Sequence, residues 1–502
     1  MTQIETTSEQ KAFIKTFCQK TPCFLSARAG TGKTTTIKLA IEEALSTRSL
    51  SANEILCIAF NKANQLDLSA ALPPEIRVST LHAIGLQTLR SLFPRLSIEK
   101  DKIYRLTTEE GFTGKNARDS FVQTMQLVSA AKNWGLLPLK SKEGLFKKSL
   151  IEDTAENWIE LQEHFNLLDA DPSKARNILI KSNALAKKGE IDFDDMVYLP
   201  VVLDLMPILP DYILVDEAQD LSPLNLSLIK KIPSKVWYIG DPFQAIYGWR
   251  GAAGDILSQT SQNGKELPVL PLTNCWRCSG NIIKEARKLV PDIRTTNPEG
   301  APVKRPFEID FSQTPKSTIL ARRNSTLVTV ALSLREKHIP VVIFGRDFAK
   351  TLIATLNKLK GTTSLQLKDS LFSYIEVLCT KYPHRAPEFR DEKRCLQAVL
   401  SEVSGKREAE KLISSLFSDE ETDDTWILST IHRAKGKEWD RVFLVEWTPK
   451  VDQPWQKVEE RNLKYVAITR ARKELMFLSE RMFEPAESQN SGASPEASPE
   501  EA

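Results

Sequence analysis

Two separated stretches of the chain show short apolar runs alternating with segments of helical periodicity. In the first, residues 22–26, 55–60, 77–80, 212–215 and 236–239 read as buried strands; in the second, residues 317–321, 341–344, 426–430, 442–446 and 475–478 do so. Strands that alternate with helical segments predict parallel α/β domains, because each crossover helix covers a sheet face. Long inserts interrupt both stretches. Residues 96–189 are Lys-rich, with apolar residues at helical spacing such as Phe121, Met125, Leu127 and Val128, and residues 347–424 are also mainly helical in pattern. Both read as small all-α subdomains set into α/β hosts. Residues 484–502 carry five Glu, no basic residue and no large apolar side chain, so this tail is expected to be disordered.

Composition narrows the class. The chain has 502 residues, 41% of them hydrophobic, which is enough for several cores. Its 68 Lys and Arg against 65 Asp and Glu give +3, a weak argument against a simple polyelectrolyte binder of nucleic acid. That sum mixes unlike parts: without the five acidic residues of the tail, residues 1–483 carry 68 minus 60, or +8. Seven Cys without a regular framework suit reduced intracellular thiols better than a secreted scaffold. The N-terminus shows no basic stretch followed by an apolar core, and prolines and aspartates interrupt the most apolar region, residues 196–215. A soluble intracellular protein is expected.

Candidate chemistry begins at FLSARAGTGKTTT, Phe24 to Thr36, where a strand runs through a Gly-rich turn into a helix starting near Lys33. Small residues at Ala29, Gly30 and Gly32 let backbone N–H groups close around phosphate oxygens, with Thr31 and Thr35 in the same loop and first turn. Lys33 can reach the β and γ phosphates, and the Thr34 hydroxyl can ligate Mg²⁺. The helix N-terminus adds partial positive charge. Ala27 stands where the general pattern has its first Gly. A second signal, YILVDEAQD from Tyr212 to Asp220, is an apolar strand ending in two carboxylates. Asp216 would hold Mg²⁺ through water, and Glu217 would orient and deprotonate the water that attacks the γ-phosphate. The two signals together point to ATP with Mg²⁺.

With these residues in place, the chain resembles the superfamily 1 helicases of the UvrD, Rep and PcrA type. VDEAQD is followed by GDPFQAIYGWRGA (Gly240 to Ala252), TNCWR (Thr273 to Arg277), LSTIHRAKGKEWDRV (Leu428 to Val442) and LKYVAITRA (Leu463 to Ala471). Gln10, AFNK at Ala59 to Lys62, Thr80 to His82 and DFDDM at Asp192 to Met196 match further motifs in family order. AGTGKTTT and AFNKANQ look closer to the F-box DNA helicase branch. The resemblance implies an α/β fold with two RecA-like parallel-sheet motor domains, each with a mainly α-helical insert. Residues 1–95 and 190–275 would form the first motor domain, 96–189 its insert, 276–346 and 425–483 the second motor domain and 347–424 its insert.

The resemblance also implies roles. Gln10 would read the adenine edge, Trp276 would stack on the base in place of the family's usual Tyr, and Glu438 would bind ribose. Gln244 would sense the γ-phosphate from one domain, with Arg277 and Arg470 reaching it from the other. Thr35 replaces an Arg carried by many relatives, which weakens one contact to the adenine side. Phe60, Thr80, His82, Tyr247, Trp249, Arg250, Thr430 and His432 would grip single-stranded DNA, the aromatic residues as stacking platforms. The implied activity is ATP-driven movement on single-stranded DNA, 3′ to 5′, with duplex unwinding in repair, recombination or replication. The implied protein is a monomer acting at single-strand/duplex junctions, cytoplasmic or nuclear according to its source, with a repair or recombination protein as partner class and no membrane. A nucleotide-gated DNA-binding switch and a protein-stripping translocase share every motif.

Other groupings compete poorly. Cys275 and Cys278 form a CxxC, but Trp276 and Arg277 between them belong to a nucleotide motif, and the five His never approach ligand spacing. Asp192, Asp194 and Asp195 read as positioning the entry to the metal-bearing sheet. Lys132, Lys140, Lys142, Lys147 and Lys148 read as a surface that tracks duplex phosphates or as an ordinary solvated face. Too little chain follows the last motif for a nuclease domain, so no nuclease activity is expected.

Overall fold

The computed structural model describes residues 6–113, 117–141, 145–165, 167, 169–246, 256–262, 265–312, 317–381, 386–420, 425–449 and 454–483. Tyr247, Trp249, Arg250, Lys142 and the acidic tail, all named above, lie outside them. The chain divides into two compact units, Met1–Arg277 with Asp292–Thr295, and Cys278–Pro291 with Thr296–Ala502.

Unit 1 is built on a six-stranded sheet of β1 (Phe24–Ala27), β2 (Ile55–Ala59), β3 (Arg77–Thr80), β4 (Tyr212–Val215), β5 (Lys235–Gly240) and β6 (Val269–Leu272). Its order is β6-β1-β5-β4-β2-β3 and every pairing is parallel. β1, β2 and β4 are buried along their whole length, which explains their uninterrupted apolar runs. The sequence pattern does not predict β6, because Pro271 interrupts it. The structure places it at the sheet edge, where a missing N–H costs no ladder bond. Helices α1 (Ser8–Cys18), α2 (Lys33–Ser46), α3 (Lys62–Ala71) and α4 (Leu81–Leu92) follow the motif-bearing turns. Thr7 and Gln10 form a capping box that starts α1.

The first insert contains α5 (Lys102–Glu109), α6 (Ala117–Asn133), α7 (Ala155–His164) and α8 (Pro172–Ala186), and a parallel pairing of Ser97–Ile98 with Glu190–Ile191 closes its base. Its core is continuous with the host's: Leu127, Trp158 and Ile178 join one buried cluster with Phe24, Ile58 and Val215 of the host sheet. On α6 the inward face differs from the expected one. Leu127 and Val128 are buried, whereas Phe121 and Met125 are only half-buried; Gln123 and Thr124 point inward instead and accept from the backbone N–H groups of Asp169 and Asp171 at 2.8 and 2.9 Å.

Lys132 corrects a surface reading. Its side chain is fully buried, paired with Asp192 and, at 2.8 Å, with Asp195, while Lys102 of α5 lies 2.7 Å from Asp195. Two ammonium groups from the insert thus face two carboxylates where the chain re-enters the host and starts α9 (Asp195–Val202). Asp192 and Asp195 also cap each other's backbone N–H groups at 3.0 Å. Lys140, Lys147 and Lys148 are exposed.

α9 packs so closely on α4 that a Cβ at Gly85 would lie 1.7 Å from the Met196 carbonyl oxygen. Gly85→Ala is therefore expected to lower stability by about 1–3 kcal/mol, as overpacking of a rigid contact does. Thermal unfolding checks this, and an unchanged midpoint would deny the close approach.

Unit 2 repeats the architecture with β7 (Thr318–Ala321), β8 (Val341–Phe344), β9 (Phe417–Ser418), β10 (Trp426–Thr430), β11 (Trp439–Val445) and β12 (Ala471–Leu478), ordered β9-β8-β10-β7-β11-β12 and all parallel. β11 and β12 begin three or four residues earlier than their apolar runs, because their opening residues include charged ones that pair across the strands, as in Arg441 with Glu474 at 2.6 Å. The second insert supplies helices Ser364–Lys381, Ala386–Ser401 and Lys406–Leu416. Asp391 from that insert accepts from the backbone N–H groups of Asn324 and Ser325 at 3.1 and 3.2 Å, at the N-terminus of a host helix. Among the described residues, no helix is long and apolar enough to cross a membrane.

Candidate nucleotide site and nucleic-acid face

The carboxyl ends of β1, β5 and β4, neighbours in the sheet, carry the candidate chemistry, as expected for ligand sites in parallel sheets. β1 opens into the phosphate loop and α2 starts at Lys33, with Gly30 and Gly32 in the left-handed region at φ of 68° and 82°. Gly30 is doubly required: a Cβ there would lie 2.6 Å from Arg277 Cβ and 2.9 Å from Cys275 Sγ. The Gly30 carbonyl accepts from Trp276 N–H at 2.9 Å, so TNCWR is bonded to the loop. Thr31 Oγ1 donates to the Arg28 carbonyl at 2.8 Å, and Thr34 and Thr35 occupy the first turn of α2.

At the end of β4, Asp216 Oδ1 accepts from the Glu217 N–H at 2.9 Å, and Glu217 adopts a left-handed φ of 52°. A non-glycine residue there stores about 1 kcal/mol or more of strain. The conformation turns the Glu217 carboxylate onto Lys33, whose Nζ lies 2.9 Å from Oε1. Burial opposes the Lys33 charge, but Glu217, Asp216 and Asp241 outweigh it and raise its pKa. Burial, with the neighbouring Glu217 charge, pushes Asp216 up to about 6. A cation beside Asp216 would favour its ionised form, and this donor set of loop amides, ammonium, hydroxyl and paired carboxylates fits a nucleoside triphosphate with Mg²⁺.

Gln219 links the parts, although its place in VDEAQD attracts no role from the sequence. Its Nε2 donates to Glu217 Oε2, and its Oε1 accepts from Asp241 N–H at 3.1 Å. Asp241, at the end of β5, accepts from Gln244 Nε2 at 2.7 Å. Lys33, Glu217, Gln219, Asp241 and Gln244 thus form one bonded chain. Gln10 is buried beside it: Nε2 donates to Thr36 Oγ1 at 3.2 Å and Oε1 accepts from Thr7 N–H at 3.0 Å. Glu9 next to it accepts from Thr273 at 2.7 Å through both backbone and hydroxyl, tying α1 to the segment that leads to Trp276. Trp276 is 46% exposed.

Arg277 groups with unit 1, beyond the 275/276 boundary drawn from the sequence, because it packs on Gly30. Arg470 and Glu438 stand in unit 2. The Arg470 guanidinium is buried and donates to the carbonyls of Val466 and Lys437 at 2.9 and 3.1 Å, while Glu438 lies 3.7 Å from Arg472. Thr430 is buried at the end of β10 and His432 is half-buried.

Phe60 follows the adjacent strand β2 and Thr80 ends β3, at the same carboxyl-end side of the sheet as the nucleotide residues. Thr80 caps α4 by accepting from Ala83 N–H at 3.3 Å, and His82 follows in its first turn. Phe193, 60% exposed, stacks on His82 with ring centroids 4.2 Å apart and planes 20° from parallel. Burial lowers the His82 pKa, which favours a neutral ring. An exposed aromatic on an aromatic support is a platform for an unpaired base. The sequence signal for Phe193, one aromatic between carboxylates in DFDDM, is legible only once its neighbour is known.

Fold and site together define a P-loop nucleotide-binding protein with two parallel-sheet units. Residues 6–265 match the UvrD/REP helicase N-terminal domain and residues 377–481 the UvrD-like helicase C-terminal domain. The chain belongs to the UvrD/Rep helicase family. It is 26% identical over 530 residues to F-box DNA helicase protein 1 of Schizosaccharomyces pombe, covering 94% of this chain and 57% of that protein. F-box DNA helicase 1 of Gallus gallus is 24% identical, covering 95% of this chain and 49% of that protein. The ATP-dependent DNA helicase Rep of Escherichia coli is 27% identical over 293 residues, covering 54% of this chain and 41% of Rep. The chain spans about half the length of these relatives.

Proposed function

We propose that this chain is an ATP-driven motor that moves 3′ to 5′ along single-stranded DNA and separates duplex strands in repair, recombination or replication. The observation that carries the reading is the bonded chain from Lys33 through Glu217, Gln219 and Asp241 to Gln244, because it joins phosphate binding, water activation and γ-phosphate sensing at three adjacent strand ends. ATP is assigned to the loop amides and Lys33, and Mg²⁺ to Thr34 and Asp216, where the metal would neutralise phosphate charge. Glu217 takes the proton of the attacking water, and Gln244 with Arg277 and Arg470 supports the charge that develops on the γ-phosphate. Glu438 is assigned to ribose, Trp276 to the base face and Gln10 to its edge.

Single-stranded DNA is assigned to the edge bearing Phe60, Thr80, His82 and Phe193, with Tyr247, Trp249, Arg250, Thr430 and His432 as further contacts. Phe193→Ala is expected to raise the concentration of oligothymidylate needed for half-maximal ATPase stimulation about tenfold, one base stack being worth about 1–3 kcal/mol. An unchanged half-maximal concentration would remove Phe193 from the track. The function itself is tested by unwinding of duplexes with a 3′ tail, a 5′ tail or no tail. The proposal requires ATP-dependent separation of the 3′-tailed substrate above the others. DNA-stimulated hydrolysis with no separation of any substrate would make the chain a translocase or switch instead.

A further inference from the structure

The phosphate loop carries one charged side chain that an anion cradle does not require. Arg28 stands second in the run from Ala27 to Thr34, and its guanidinium is committed to protein partners. Nε and one terminal nitrogen donate to the two carboxylate oxygens of Asp292 at 2.9 and 2.6 Å. The other terminal nitrogen donates to Ser26 Oγ at 2.9 Å and lies 3.7 Å from Asp241 Oδ1. The guanidinium also sits 4.6 Å from the centre of the Phe243 ring. The Arg28 side chain is 8% exposed and that of Asp241 fully buried, whereas that of Asp292 is 46% exposed.

Asp241 is the carboxylate that holds Gln244. One oxygen accepts from Phe243 N–H at 3.1 Å and the other from Gln244 Nε2 at 2.7 Å. We propose that Arg28 is a positioning residue for γ-phosphate sensing: its guanidinium holds Asp241 in place, Asp241 orients the Gln244 carboxamide, and Asp292 anchors Arg28 from the far side. The inference rests on the assignment of ATP hydrolysis to this site.

The physical need is clear from burial. Burial raises the Asp241 pKa, and Arg28 is the foremost group opposing that shift, ahead of Lys33, which is shared with Glu217 and Asp216. Without Arg28, Asp241 takes up a proton or tilts, and its oxygen no longer offers Gln244 Nε2 a fixed acceptor. Loss of this acceptor loosens the constraint on which end of the carboxamide, donor or acceptor, faces the phosphate. The loop amides and Lys33 are untouched, so turnover suffers more than ATP binding. Lysine cannot replace the guanidinium fork, because one ammonium cannot hold Asp292 bidentately while also facing Ser26 and Asp241.

The test measures ATP hydrolysis by the full chain with saturating oligothymidylate for the wild type and for Arg28→Gln, Arg28→Lys, Asp292→Asn, Lys33→Ala, Gln244→Ala and the Arg28→Gln/Gln244→Ala double variant. Arg28→Gln is expected to lower kcat about tenfold with KM for ATP within about twofold, and Arg28→Lys to recover only part. Asp292→Asn, an isosteric change at a half-exposed side chain, is expected to lower kcat about threefold. In the Gln244→Ala background, Arg28→Gln should have no further effect on kcat. Wild-type kcat in Arg28→Gln, or the same fold loss with and without Gln244, would overturn the inference. Should Arg28→Gln fail to fold, wild-type kcat in Asp292→Asn overturns it. An inactive wild type or an active Lys33→Ala would overturn the ATPase reading beneath it, a result distinguishable from either.

Discussion

Glu217→Gln is expected to lower kcat for ATP hydrolysis about 10³-fold, within the range that loss of a positioned general base produces. Nucleotide binding should not fall with it. Glu217 holds the Lys33 ammonium at 2.9 Å, and a neutral carboxamide in the same place releases part of that hold, so Lys33 becomes more available to phosphate oxygens. The carboxamide keeps an oxygen for Lys33 but offers no base for the attacking water. Binding of a fluorescent ATP analogue, measured beside turnover, checks both halves. A variant that retains wild-type hydrolysis would show that another group takes the proton. A variant that loses nucleotide affinity as steeply as turnover would show that Glu217 serves binding rather than chemistry.

Lys132→Ala is expected to be the most destabilising change in the first insert, at about 3–5 kcal/mol, because it strands buried carboxylates. Asp192 and Asp195 would keep Lys102, which bonds Asp195 at 2.7 Å, but would lose the ammonium that pairs with both. A thermal midpoint lower by roughly 10 °C is the readout expected for a unit of this size. The pH dependence follows from the same charges. Burial opposes ionisation of Asp195, but Lys132 and Lys102 prevail and bring its pKa down to about 2. Its contribution is therefore present above the unfolded carboxyl value of about 3.9 and is lost as pH falls from there through about 2. Asp192 moves the other way, through burial first, so it takes the first proton of the pair. Lys132→Ala should shift acid unfolding to higher pH. A midpoint within about 1 °C of wild type would mean that the cluster is not what joins insert to host.

The sequence makes legible those parts of the molecule whose causes are local. Strand, loop and helix around Lys33 are one continuous stretch, and the apolar run before Asp216 announces both strand and carboxylates. Strands buried on both faces are plain for the same reason, whereas β6, with Pro271, reads as loop until its edge position is known. Arg28 is opaque because its partner Asp292 lies 264 residues away. Lys132 reads as a surface charge because its counter-charges come 60 residues later, beyond two intervening helices. Phe193 acquires its meaning from His82 across the α4–α9 contact. Periodicity reports which face of one helix is apolar, but it carries no record of a buried ion pair between elements distant in sequence.

In the proposed function, ATP hydrolysis at the β1–β5–β4 strand ends is coupled to single-stranded DNA at the neighbouring β2 and β3 strand ends. The most direct measurement is kcat for ATP hydrolysis by the full chain with and without a saturating single-stranded oligonucleotide. The account predicts stimulation of about tenfold or more, equivalent to at least ~1.4 kcal/mol of transition-state stabilisation. Equal rates with and without DNA would contradict it.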